Sequence, residues 1–77
     1  MKSWVSTEKG LYKKFIFDNF DLGVGFINKI NEISNKHNHH PDIFLTYSCV
    51  KIHIITHKMK KITDKDYNLA KEIDGII

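Results

Sequence analysis

Between Ile43 and Ile55 the chain repeats with a period of two: Ile43, Leu45 and Tyr47 alternate with Phe44 and Thr46, and Val50, Ile52 and Ile54 alternate with Lys51, His53 and Ile55. Successive residues of a strand point to opposite faces, and β-branched side chains are favoured there, so this stretch reads as two strands rather than a helix. Ser48-Cys49 interrupts it as a two-residue turn. With that turn, His40 falls opposite His57, and the hairpin brings His57 within side-chain reach of His39 and His40. A chain of 77 residues builds one modest core, so this hairpin must pack against most of the remaining secondary structure.

The remaining elements follow from local chemistry. Trp4–Thr7 and Leu11–Phe17 read as a first hairpin around Glu8-Lys9-Gly10, where glycine can take positive φ. From Phe20 to about His37, Gly23, Phe26, Ile27, Ile30, Ile33 and Ser34 recur at helical steps, with Asn19 as N-cap and Pro41 preventing continuation. Gly23 and Gly25 weaken that helix and point to close packing against a sheet. Thr63-Asp64-Lys65-Asp66 reads as a capping-box-like start of a last helix, whose apolar face is Tyr67, Leu69, Ala70, Ile73 and Ile76. The order is β-β-α-β-β-α: an α+β domain with a four-stranded antiparallel sheet covered by helices on one face. Its open edges and uncovered face call for a dimer or tetramer.

One cysteine, Cys49, permits no internal disulfide, and no signal peptide is evident; both point to a reducing, cytoplasmic setting. The apolar runs are too short to span a bilayer, so no membrane partner is expected. The net charge of +3 is weak evidence for nucleic acid. The basic run Lys58, Lys60, Lys61 and Lys65 has no interleaved aromatic residue and reads as a solvated loop, so no direct nucleic-acid partner is expected.

Five histidines in so short a chain are the more unusual feature. His39, His40 and His57 gathered together suit acid–base chemistry near neutral pH. Three histidines also suit zinc, although no carboxylate or cysteine stands at a supporting spacing. Surface or capping roles are the plain alternative. His37, in the last turn of the long helix, and His53, in mid-strand, read as structural.

His39-His40-Pro41-Asp42 resembles the His-His-Pro-acid signature of the pterin-4a-carbinolamine dehydratases, and Tyr47, Val50, Thr56-His57, Thr63 to Asp66 and Leu69-Ala70 follow in the family's order. Upstream, Trp4, Phe15, Phe17, Phe20 and Phe26 resemble its aromatic and helical positions. The resemblance runs from Trp4 to about Asp74 and implies one dehydratase-like domain over residues 1–77. It implies an oligomeric lyase that expels the 4a-hydroxyl of a tetrahydropterin carbinolamine to give quinonoid dihydropterin, in tetrahydrobiopterin recycling, with no metal or cofactor. His39, His40 and His57 would be catalytic, and Asp66, Trp4 and Pro41 would support the site or bind substrate. The alternative within the family is a non-enzymatic, coactivator-like module that binds a partner. This chain departs from the family pattern in four ways: no helix precedes Trp4, Asn35 stands where glutamate is common, Ile43 replaces a frequent tryptophan, and the loop after His57 is basic.

Overall fold

The computed structural model describes residues 3–77. It contains β1 (Val5–Thr7), β2 (Gly10–Ile16), α1 (Phe20–His37), β3 (Asp42–Leu45), β4 (Cys49–Ile54) and α2 (Asp64–Asp74). The strands form one antiparallel sheet in the order β1-β2-β4-β3. Leu11, Phe15, Val50, Ile52 and Ile54 line one face and form the core with Phe26 and Ile30 of α1 and Leu69, Ala70 and Ile73 of α2. Cross-strand pairing puts Tyr12, Lys14, Lys51, His53 and Phe44 on the opposite face, where all five are at least partly exposed, both helices packing on the core face.

The first hairpin turns at Glu8-Lys9 between the paired residues Thr7 and Gly10. Gly10 has φ +110°, as the turn reading required, and a Cβ there would lie 2.2 Å from the Ile54 carbonyl oxygen. α1 begins where Asn19 accepts the Leu22 N–H at 2.9 Å. It ends three residues before Pro41, at Asn38 in the left-handed region (φ 51°), with the Asn38 and His39 N–H groups returning to the carbonyls of Asn35 and Ser34. The stop is therefore an asparagine C-cap, and Pro41 starts the lead into β3. Gly23 does serve close packing, since a Cβ there would meet Leu45 at 3.0 Å and Val50 at 3.4 Å. Gly25 does not: nothing lies within 4 Å of its Cβ position.

The second hairpin corrects the expected register. Leu45 pairs with Val50 and Asp42 with His53, and Thr46 N–H donates to Cys49 O at 2.9 Å, so the turn is Tyr47-Ser48. The turn closes one residue earlier because Cys49 is needed as the first paired residue of β4, opposite Ile16 of β2. The shift moves His40 away from the position opposite His57. It is an even shift of two along the partner strand, so every side chain keeps its face. On α2, Leu69, Ala70 and Ile73 are buried as expected, whereas Tyr67 is 42% exposed and lies off the apolar face.

Among the described residues, Ser34 Oγ is the buried side-chain polar atom without a hydrogen-bond partner. Ser34→Ala removes a desolvated hydroxyl and loses no bond, so it should stabilise the fold by about 1 kcal/mol in urea unfolding. Destabilisation of that size would show that the hydroxyl has a partner in solution.

Candidate active site

The candidate site stands at the end of the sheet where the α1–β3 linker, the segment after β4 and the start of α2 meet. Asp66, in the first turn of α2, is fully buried. A buried carboxylate is stable only if its oxygens are hydrogen-bonded. Asp66 Oδ2 accepts the Thr63 N–H at 2.7 Å and the Thr56 hydroxyl at 2.9 Å, and Oδ1 meets His39 Nε2 at 2.5 Å. The Thr63 contact is the returning half of the capping box, so Asp66 is both a cap and the anchor of a histidine. Thr56 also shares a 2.7 Å hydrogen bond with the Thr63 hydroxyl.

Burial raises the Asp66 pKa, but the hydrogen bonds from His39, Thr63 and Thr56 together outweigh it and hold the carboxyl below its ordinary value of 3.8. An ionised Asp66 only accepts, so His39 donates to it from Nε2; whenever the ring is neutral, its lone pair is then on Nδ1. The side chain of His39 is 13% exposed, so the ring is fixed and still reachable. His40 Nε2 lies 2.9 Å from Asn35 Oδ1. Asn35 therefore orients a histidine through its amide, at a position where a carboxylate was expected to be missed. His57 is 71% exposed on its side chain, and its Nε2 lies 3.8 Å from Asp42 Oδ2.

Two links thus tie residues 39–42 to residues 56–57: His39 to Thr56 through Asp66, and Asp42 to His57 directly. The three histidines lie in the segments flanking the open end of the β3–β4 hairpin; the expected opposition of His40 and His57 is absent, and among the described residues no hydrogen bond or ion pair joins one of the three rings to another. They open on two sides of the hairpin. His57 lines a depression of about 580 Å³ on the open sheet face with Asp42 and His53, whereas His40 and Pro41 line a cleft of about 240 Å³ between α1 and β3.

Trp4 lies in the core, edge-on to Phe15, and its indole N–H donates to Asp74 at 3.0 Å. Its described contacts are with the frame, and none is with a histidine. His37 pairs with Glu72 of α2, and His53 stacks on Tyr12 with ring centroids 4.7 Å apart. Among the described residues no group of three or more His, Cys, Asp or Glu side chains is placed to hold a metal ion, and no helix is long and apolar enough to cross a membrane.

Sequence reasoning missed Thr56 and Thr63 as the inner support of the site. The signal was present: Thr56 continues the inward series Val50, Ile52, Ile54, and a polar residue at an inward position must find a buried partner.

The hydrogen bonds to Asp66 also set an acid limit on the fold. A carboxyl whose folded pKa lies below its unfolded value adds stability that is complete above the unfolded value and disappears as pH falls through the folded one. Urea titrations should therefore show wild type losing its advantage over Asp66→Asn as pH drops from about 5 to below the ordinary aspartate value. A constant difference across that window would contradict the bonding of an ionised Asp66.

An antiparallel sheet backed by two helices, with a His39–Asp66 pair beside the open end of its second hairpin, defines a small α+β domain. The family model described as Pterin 4 alpha carbinolamine dehydratase matches residues 1–76. The chain belongs to the pterin-4-alpha-carbinolamine dehydratase family. It is 39% identical over its whole length to a protein of Sulfurisphaera tokodaii provisionally named as such a dehydratase, covering 83% of that protein. It is 45% identical over 76 residues to one of Prochlorococcus marinus strain SARG, provisionally named likewise, covering 99% of this chain and 79% of the relative. Among solved structures, a transcriptional coactivator/pterin dehydratase from Brucella melitensis has a TM-score of 0.92 at 24% identity, covering 99% of this chain and 83% of that one. A pterin dehydratase-like RuBisCO assembly factor of the alpha-carboxysome has a TM-score of 0.79 at 21% identity, covering 95% and 87%. These two likenesses establish the fold.

Proposed function

We propose that the chain is a hydro-lyase that converts 4a-hydroxytetrahydropterin to quinonoid dihydropterin and water. The observation that supports this reading is the buried Asp66 anchoring His39 through its Nε2, in the segment that also carries His40. In the reaction the C4a–O bond breaks, the N5 lone pair closes a C4a=N5 double bond, a base removes the N5 proton, and an acid protonates the departing hydroxyl to water. Histidine suits both proton transfers near neutral pH. We assign ring contact and proton exchange to His40 and His57, with His39 sharing that work, an assignment that requires the pterin to bridge the two openings they line. Pro41 sets the entry of the chain into β3 beside His40, and Trp4 holds the sheet to α2 through Asp74. Neither proton transfer calls for a metal or cofactor.

Quinonoid product would feed tetrahydrobiopterin recycling in the cytoplasm. A homo-oligomer built through the free edges β1 and β3 accords with this reading, since both edge strands have exposed residues along most of their length.

The test is the rate at which the 4a-hydroxyl is lost from the carbinolamine. Wild type should accelerate it over the spontaneous reaction, and His57→Ala should remove most of that acceleration, about 100-fold, with the fold intact because His57 is exposed. An unchanged rate in folded His57→Ala would remove His57 from the mechanism.

A second reading, a partner-binding module without catalysis, is supported by the apolar side chains exposed around the second hairpin. Phe44 is 63% and Tyr47 69% exposed. A stable protein partner together with no carbinolamine dehydration would favour it.

A further inference from the structure

The open face of the sheet, opposite the helices, carries an arrangement that the dehydratase reading does not use. Lys14 of β2 and Lys51 of β4 are directly paired across strands, so their side chains stand side by side on that face. Like charges at directly opposed positions destabilise a sheet. Neither lysine takes part in an ion pair among the described residues. The next residue in the same row is Phe44 of β3, with Lys51 Nζ 5.6 Å from its ring centroid. The adjacent row places Tyr12 against His53, stacked at 4.7 Å.

Two adjoining depressions of about 580 and 560 Å³ cross this face and share Lys9, Lys51 and His53. Each has one acidic lining residue, Asp42 in the first and Glu8 in the second. The row Lys14, Lys51 and Phe44, with Tyr12 and His53 beside it, is cationic and aromatic at once. A second copy of the same face would oppose lysine to lysine, which disfavours stacking of two sheets. An acidic peptide would satisfy the lysines by charge alone, without calling on the rings to stack. A chain of phosphates bearing flat bases satisfies both, with phosphates on the lysine pair and bases on the exposed rings.

We infer that the open sheet face binds single-stranded nucleic acid, with Lys14 and Lys51 taking phosphates and Phe44 and the Tyr12–His53 stack taking bases. This replaces the expectation drawn from the basic loop alone. That loop is a tight turn closed by the Thr56–Lys61 bridge, and among the described residues no aromatic ring lies under its lysines. Lys14, Lys51 and Phe44 have no role in the dehydratase reading, but the two readings share the depression that His57 lines.

The test is fluorescence anisotropy of fluorescein-labelled dT and rU 15-mers with the full chain. Binding is expected to weaken about 30-fold between 20 and 200 mM salt, as two phosphate contacts require. Phe44→Ala, which leaves every charge in place, should weaken it about 10-fold through lost stacking. The double variant Lys14→Gln/Lys51→Gln should abolish it and raise the melting temperature slightly, because the like-charge pair is gone. All three side chains are at least partly exposed, so the variants should fold, which circular dichroism will verify. Four results would overturn the inference. They are no binding at 20 mM salt, wild-type binding by the double lysine variant, loss of binding on replacing Lys58, Lys60 and Lys61 instead, and wild-type binding by Phe44→Ala with equal competition by polyglutamate.

Discussion

Asp66→Ala will lower the stability of the fold by about 3–5 kcal/mol, the range seen when one partner of a buried charged network is removed. The carboxylate receives Thr63 N–H, the Thr56 hydroxyl and His39 Nε2–H, and all three donors lose their acceptor together in a place that water does not reach. A 77-residue domain has a total stability of about 4–12 kcal/mol, so this variant should be partly unfolded at 37 °C. Thermal and urea unfolding followed by circular dichroism will measure it. A loss below about 1 kcal/mol would mean that the network closes over the gap or opens to solvent.

Gly10→Ala should cost about as much by a different route. Its φ of +110° is closed to residues with a Cβ, and that Cβ would stand 2.2 Å from the Ile54 carbonyl oxygen and 2.9 Å from Ile55 Cβ. The clash is with backbone at the end of β4, so no side chain can rotate away. The strand must move, and with it the Leu11–Ile54 pair that closes the core. A loss of about 3 kcal/mol or more is expected, read as a fall in the urea midpoint. Because the clash falls at the end of β4, the strand that leads to Thr56 and His57, loss of the site should accompany the loss of stability. A variant as stable as wild type would contradict the close approach of β2 and β4 at this point.

Elements with a strong local cause were readable. α1 runs from Phe20 to His37 as its apolar stripe and the Asn19 cap require, and the first hairpin turns next to a glycine with positive φ. The failures lie where two local signals compete and a distant contact decides. Ser48-Cys49 and Tyr47-Ser48 are both acceptable as a two-residue turn. Pairing of Cys49 with Ile16 selects the second, and that contact spans 33 positions of sequence. Asn38 and Pro41 can each end a helix, and the chain uses the first because asparagine tolerates the left-handed region. At the site, the family resemblance gave Asp66 as a supporting residue, and its pairing with His39 is a finding of the structure. The inward series Val50, Ile52, Ile54 marks Thr56 as a buried polar residue, but its partner Asp66 stands on α2, which that series does not name. Asn35 was read as a lost carboxylate, and its amide oxygen nevertheless reaches His40.

The most direct measurement is the carbinolamine dehydration rate of Asp66→Asn, set against its circular dichroism spectrum. The amide can keep one oxygen on Thr63 and Thr56, but its NH₂ group then faces His39 Nε2 and forces the ring proton onto Nδ1, the nitrogen the reaction needs free. A folded Asp66→Asn protein slower than wild type by about 100-fold or more is the predicted result. A folded variant with the wild-type rate would contradict a catalytic role for a histidine poised by a buried carboxylate.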